Sequence, residues 1–196
     1  MKLTTRAFIA IEIGEGLRSA ATKLISRFEL ETDAIRWVDP ANLHYTIKFL
    51  GEIPTVELYE LLSTLGKGLE SFKPFSLDAV GVGAFPTPSS PRTVWLGARN
   101  GGDQLTDLHA RINETLSTIG YPVEARKFQP HLTLGRVRRQ SKPGPVLANL
   151  IEEDAEKKFA TVHIDEVTVF ASELTRRGPK YEILGTCPLK GDSEWT

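Results

Sequence analysis

The strongest constraint on this chain is a repeated spacing. His44 follows Gly14 by 30 residues, and His131 follows Gly101 by 30 residues. Each histidine opens the same short pattern, His44-Tyr45-Thr46 and His131-Leu132-Thr133. The elements expected around them recur in one order: strand, amphipathic helix, loop, His-Thr strand, helix, strand. Such a repeat predicts approximate two-fold symmetry. Two similar units packed face to face would set the two His-Thr strands across one groove. The fold class expected is α+β: bilobal, a pseudo-two-fold duplicated unit, with two antiparallel or mixed sheets flanking a central cleft and helices on the outside. The 196 residues fit one domain of two such lobes, the repeat spanning about 6–83 and 92–187.

In chain order, aliphatic residues predict a strand over 6–13. Leu17, Ala20, Ala21, Leu24, Ile25 and Phe28 recur at helical spacing. A short strand over 35–38 is stopped by Asp39-Pro40. The first His-Thr strand comes next and is closed by Gly51. Pro54 then opens a helix with Leu58, Leu61, Leu62, Leu65, Leu69 and Phe72 on one face. A strand over 75–82 ends at Gly83. The segment 85–91, FPTPSSP, reads as a loop. The pattern then repeats, with a strand over 93–98, a helix marked by Leu105, Leu108, Ile112, Leu116 and Ile119, and the second His-Thr strand from His131. A short helix comes after Pro143-Gly144-Pro145. Residues 159–170 and 181–187 read as two strands joined by a basic turn at 175–179, before a polar tail from Lys190.

Composition narrows the function classes. The formal net charge is −1, so no global field draws nucleic acid and any such site must be a local patch. Cys187 is the only cysteine, which excludes an intrachain disulfide and a cysteine-based zinc cluster and fits a reducing cytoplasm. The apolar run near the start is short and interrupted by Glu12, unlike a signal peptide or membrane span. A cytoplasmic protein with no membrane association is expected, as a monomer. No P-loop pattern occurs, and the H-x-T spacing supplies no metal-ligand cluster. No metal and no cofactor is expected.

Side chains alternate along a strand, so His44 and Thr46 share one face, as do His131 and Thr133. Leu43, Tyr45, Ile47 and Phe49 should point into a core, with Leu132 and Leu134. Two imidazoles near neutrality can supply a general base and a general acid at one pH. In-line displacement at phosphorus needs that pair, because attacking and leaving oxygens lie on opposite sides. Thr46 and Thr133 could donate hydrogen bonds to the non-bridging oxygens. Arg136 could add a forked, charge-assisted contact. Strict alternation puts Arg136 on the core face, and a bulge at Gly135 would re-aim it. One H-x-T is a weak signal, since a strand often carries a surface His and a β-favouring Thr. Two copies at equivalent positions of a repeat are far more specific.

These residues resemble the 2H phosphoesterases, named for paired H-x-T-x motifs, and within them the RNA 2′,3′-cyclic phosphodiesterases, also described as 2′-5′ RNA ligases. The resemblance extends to 6–11 (RAFIAI), 36–38 (RWV), 42–51 (NLHYTIKFLG), 83–86 (GAFP), Pro91-Arg92 with Trp95-Leu96-Gly97, and 130–136 (PHLTLGR). Residues 181–189 look like the family's closing strand. The resemblance implies a bilobal α+β fold, no metal, and hydrolysis of an RNA 2′,3′-cyclic phosphate end to a 2′-phosphomonoester, with tRNA fragments among the candidate substrates. It implies His44 as proton donor to the departing 3′ oxygen and His131 as proton acceptor from water. Geometry alone would permit the reverse. Ligation is the same chemistry run backwards, with an RNA 5′-hydroxyl in place of water.

Other readings remain beside this one. The same site could act on a small cyclic nucleotide or an ADP-ribose cyclic phosphate, or the chain could be a non-catalytic module that binds RNA ends. His109 reads as a packing residue on its helix, His163 as part of a solvated strand face, and Asp39 as a turn residue. Lys48 continues the face of His44 and Thr46, so it approaches the cleft or is a surface lysine. Arg126, Lys127, Arg138, Arg139 and Lys142 flank the second motif, and Arg176, Arg177 and Lys180 form another basic group. Each is either a solvated face or a phosphate-tracking patch. Trp37 is open as a base-stacking ring, and Phe49 is assigned to the core by alternation.

Overall fold

Residues 7–11 of the first strand are buried on both faces. Ala7, Ile9 and Ile11 face the main core, whereas Phe8 and Ala10 join a second, smaller cluster with Phe170. An unbroken apolar run is what a strand covered on both sides needs. In this computed structural model, which describes residues 3–176 and 178–191, that strand is β1 (Thr4–Glu12). Arg177 of the basic turn and residues 192–196 of the polar tail lie outside the described residues. The chain continues as α1 (Gly14–Glu29), β2 (Ile35–Trp37), β3 (His44–Pro54), α2 (Leu58–Leu69), β4 (Phe75–Thr87), β5 (Ser90–Ala98) and α3 (Gly102–Ser117). It then forms β6 (His131–Val137), α4 (Pro145–Glu153), β7 (Lys158–Ile164), β8 (Glu166–Thr175) and β9 (Gly178–Pro188).

These helices each bury one apolar stripe: Leu17, Ala21, Leu24 and Phe28 on α1, Leu61, Leu65 and Leu69 on α2, Leu105, Leu108, Ile112 and Leu116 on α3, and Leu147 and Ile151 on α4. The three- and four-residue spacings keep each stripe on one side of its helix. Among the described residues, no helix is long and apolar enough to cross a membrane.

The strands form one antiparallel path in the order β7-β4-β5-β6-β3-β1-β8-β9, with β2 paired to β6. The two expected sheets are therefore halves of a single sheet, joined where Tyr45 of β3 meets Leu132 of β6. The order is mirrored about that seam, and the halves exchange strands. β4 comes after β3 in sequence but pairs with β5 across the seam, and β8 pairs with β1.

The run 159–170, expected as one strand, is two. β7 pairs with β4 and β8 pairs with β1, with Asp165 alone between them. Consecutive Cα atoms are about 3.8 Å apart, so strands from opposite parts of the order must meet there. The sheet curls to allow it. Residues of β1, α1, β7 and β8 accordingly line a common cavity of about 320 Å³.

The expected loop 85–91 is mostly strand. β4 runs to Thr87 and β5 starts at Ser90, so only Pro88 and Ser89 form the turn. Turn-forming residues here make a tight hairpin rather than a loop. A register shift at Phe85/Pro86 accommodates a proline that cannot donate to the ladder. β3 likewise continues past Gly51, whose φ of +77° suits glycine.

Candidate active site

Leu43, Tyr45 and Ile47 are buried, while His44 and Thr46 stay half-exposed on the opposite face of β3. β6 repeats this, with Leu132 buried and His131 and Thr133 half-exposed. Tyr45 stands opposite Leu132 in an antiparallel pair. Carrying that register one residue either way sets His44 level with Thr133, and Thr46 level with His131. The two motifs are side by side in one sheet rather than on facing sheets. The histidines occupy one diagonal of a square and the threonines the other. Diagonal neighbours of this kind are about 7–8 Å apart.

Each imidazole is held in the same way. His44 Nδ1 lies 2.8 Å from the Asn42 carbonyl, and His131 Nδ1 lies 2.7 Å from the Gln129 carbonyl. A carbonyl only accepts, so Nδ1 donates in both and Nε2 is left to exchange protons. His44 Nε2 lies 3.0 Å from Thr46 Oγ1. Burial pushes the His44 pKa below its usual value, partly opposed by the bond to Asn42. Burial does the same to His131, opposed by the bond to Gln129 and reinforced by the positive charges of Arg136 and Arg126.

An aromatic shell backs these rings. Phe8 lies 4.9 Å from the His44 ring, and Tyr181 meets it edge-on at 5.4 Å. Phe85 meets His131 edge-on at 5.1 Å and leans on Trp95 at 5.2 Å. Sequence reasoning did not assign Phe8, Phe170, Tyr181 or Phe85 to the site. The available signal was the unbroken apolar run in β1, which implied cover on a second face.

A bulge comes just after each motif. In β3, Thr46 pairs with Ala10 and Lys48 with Ile9, leaving Ile47 as the extra residue. In β6, Thr133 pairs with Trp95 and Gly135 with Val94, leaving Leu134 as the extra residue. Alternation slips by one in both. Lys48 therefore turns away from the groove and is only 2% exposed, donating to Asn113 Oδ1 at 2.6 Å and the Pro122 carbonyl at 2.8 Å. It is neither a cleft residue nor a surface lysine. Phe49, expected in the core, is 64% exposed and lines the groove. Arg136 is re-aimed into the groove and donates to Thr93 Oγ1 at 3.2 Å.

His44, Thr46, Thr133 and Arg136 line one groove of about 870 Å³. His131 heads β6 on the face of Thr133 but is not part of that lining. Trp37 and Lys180 line the groove; Arg126, Lys127, Arg138, Arg139, Lys142 and Arg176 do not. His109 is buried and stacks on Phe128 at 4.2 Å, as a packing residue would. His163 is exposed on β7, and the Asp39 carboxylate caps the Ala41 N–H at 2.9 Å. Among the described residues, no group of three or more His, Cys, Asp or Glu side chains could hold a metal ion.

A model of the 2′-5′ RNA ligase superfamily matches residues 18–176. A Methanothermobacter thermautotrophicus protein named RNA 2′,3′-cyclic phosphodiesterase is 33% identical over 183 residues, 91% of this chain and 96% of its own length. A Thermotoga maritima protein of the same name is 33% identical over 186 residues, 95% of this chain and 96% of its own. A Thermus thermophilus crystal structure shares the fold with a TM-score of 0.81 at 24% identity, covering 96% of this chain and 100% of that one. E. coli LigT, crystallised with ATP, gives a TM-score of 0.71 at 26% identity over 95% of this chain and 98% of its own. With the paired motifs, the shared fold and a match over most of its length, the chain belongs to the 2′-5′ RNA ligase superfamily.

Proposed function

We propose that this protein hydrolyses RNA 2′,3′-cyclic phosphate ends to 2′-phosphomonoesters by paired-histidine acid–base catalysis, without a metal ion. The observation that carries the proposal is the register at Tyr45 and Leu132. It gives the imidazoles one diagonal and the hydroxyls the other, which suits a phosphorus atom with attacking and leaving oxygens on opposite sides. His131 takes a proton from the attacking water at Nε2. The new P–O bond forms as the bond to the 3′ oxygen breaks, and His44 gives its proton to that oxygen. Thr46 and Thr133 donate to the non-bridging oxygens, and Arg136 balances their charge. The order of acid and base rests on the family resemblance. Reversal, with an RNA 5′-hydroxyl replacing water, gives 2′-5′ ligation. The names of the relatives support the substrate class. The mirrored strand order supports one domain of two repeated units, about 6–83 and 92–187.

The test is incubation of a short RNA ending in a 2′,3′-cyclic phosphate with the protein in EDTA, followed by identification of the product. The expected product is a 2′-phosphate. His44→Ala and His131→Ala should each lower turnover by roughly 10²–10⁴-fold while ligand binding largely persists. A 3′-phosphate product, activity that only zinc or magnesium restores, or normal turnover by both variants would contradict the proposal.

A further inference from the structure

Lys48 comes two residues after Thr46 on β3, and the bulge at Ile47 turns it out of the groove and into the fold. An ammonium removed from water is costly unless its hydrogen bonds are met. The partners it finds, Asn113 Oδ1 on α3 and the Pro122 carbonyl, belong to the second half of the chain. Asn113 Oδ1 also accepts from the Glu124 N–H at 3.3 Å. Two donors on Oδ1 fix which way the amide points, so Nδ2 faces His109 Nε2 at 2.9 Å. An amide nitrogen only donates, so His109 Nε2 accepts and its proton sits on Nδ1. Burial favours this neutral form, opposed by the Glu124 carboxylate 3.5 Å away. The His109 ring in turn lies flat on Phe128, the two planes 8° apart.

This chain of contacts ends beside the second motif. Phe128 precedes Gln129, whose carbonyl accepts from His131 Nδ1. Residues 121–130 are irregular, and among the described residues no backbone-to-backbone hydrogen bond anchors 122–130. Side chains hold the segment at two points: Lys48 and Asn113 at Pro122 and Glu124, and His109 at Phe128. The carbonyl that serves His44 is braced differently. Asn42 closes a short 3₁₀ turn, Pro40–Asn42, with its N–H donating to the Asp39 carbonyl at 2.8 Å. Arg18 of α1 donates to the Pro40 carbonyl of the same turn. The residue four places after His131, as Lys48 is after His44, is Gly135 and has no side chain to return the arrangement.

We propose that Lys48, Asn113 and His109 are positioning residues for His131. They hold 122–129 so that the Gln129 carbonyl meets His131 Nδ1 and leaves Nε2 free for proton transfer. A lysine on the first motif strand thus sets the tautomer of the histidine on the second, while His44, its nearer neighbour in sequence, is independent of it. The kinetic consequence rests on the phosphodiesterase reading above; the tautomer does not.

The test is nitrogen NMR of the histidine rings in the free, full-length protein at mildly alkaline pH, which distinguishes the Nδ1–H and Nε2–H tautomers of each neutral imidazole. In wild-type protein, His44 and His131 should both carry the proton on Nδ1. In Lys48→Met and in His109→Ala, His131 should shift toward the Nε2–H form while His44 stays as it was. His109→Phe, which restores a flat ring on Phe128, should return His131 to the wild-type form. Turnover of an RNA 2′,3′-cyclic phosphate should follow, kcat falling about tenfold in Lys48→Met and His109→Ala with KM little changed. A role confined to stability would lower the denaturation midpoint and leave the His131 tautomer of the folded protein alone. If Lys48→Met does not fold, the His109→Ala and His109→Phe pair decides. An unchanged His131 tautomer in folded variants, an equal change at His44, or no recovery in His109→Phe would overturn the proposal. The NMR readout needs no substrate, so if wild-type protein proves inactive only the phosphodiesterase reading has failed.

Discussion

Each motif imidazole is fixed by a bond that a strand histidine makes to the carbonyl two residues before it. Asn42 serves His44 and Gln129 serves His131. Orientation therefore depends on backbone, and only Nε2 remains for chemistry. Burial holds both rings toward neutrality. A bound phosphate supplies the negative charge that favours the protonated form. In free protein, NMR titration should find both imidazoles below the ordinary value of about 6.5, and inorganic phosphate should raise at least one of them. Values at or above 6.5 in free protein would contradict the environment described. The same shifts have a stability consequence. The folded pKa values lie below the unfolded ones, so the unfolded chain binds more protons between them. Stability is retained above about pH 6.5 and lost as pH falls through the folded values, with His109 acting in the same direction. The denaturation midpoint should fall accordingly between neutral and mildly acid pH.

The elements carry what a single strand's pattern cannot. The period of two located His44, Thr46, His131 and Thr133 correctly, because each motif is short and its strand is regular there. It failed one residue later. A bulge is a property of two paired strands, so nothing in IKFLG alone states that Ile47 is the extra residue against β1. For Arg136, the glycine at 135 was a usable hint, and the bulge lies at the adjoining Leu134. Gly135 has a further reason. A Cβ there would meet Ile35 Cγ2 at 2.5 Å, Trp37 Cε3 at 2.7 Å and the Arg36 carbonyl at 3.2 Å. β2 packs onto β6 only because that space is empty. Gly135→Ala should cost about 1–3 kcal/mol in denaturant unfolding and should weaken substrate binding by displacing Arg36 and Trp37. Wild-type stability together with wild-type KM would show that β2 yields without consequence.

At the scale of the molecule, the repeat in the sequence foretold a mixed α+β chain with helices on the outside and the two motifs brought together. It did not foretell a single curled sheet. Strand exchange is invisible to spacing, because β4 and β8 have the same local pattern whichever half they join. The break at Asp165 was equally hidden, since β-favouring residues continue on both sides of Asp165-Glu166. The curl nevertheless makes the site. It brings β8 and β9 beside β1, so that Tyr181 and Lys180 reach the groove from residues far along the chain and Phe170 packs behind it on Phe8.

The most direct test of the central claim is the pH dependence of kcat/KM on an RNA 2′,3′-cyclic phosphate in EDTA. One imidazole must be neutral and the other charged, and both titrate low in the free protein. A bell-shaped profile is therefore expected, centred on the acid side of about pH 6.5. A profile that is flat from acid to alkali, or one that rises with a single limb to a plateau above neutrality, would contradict paired histidine catalysis.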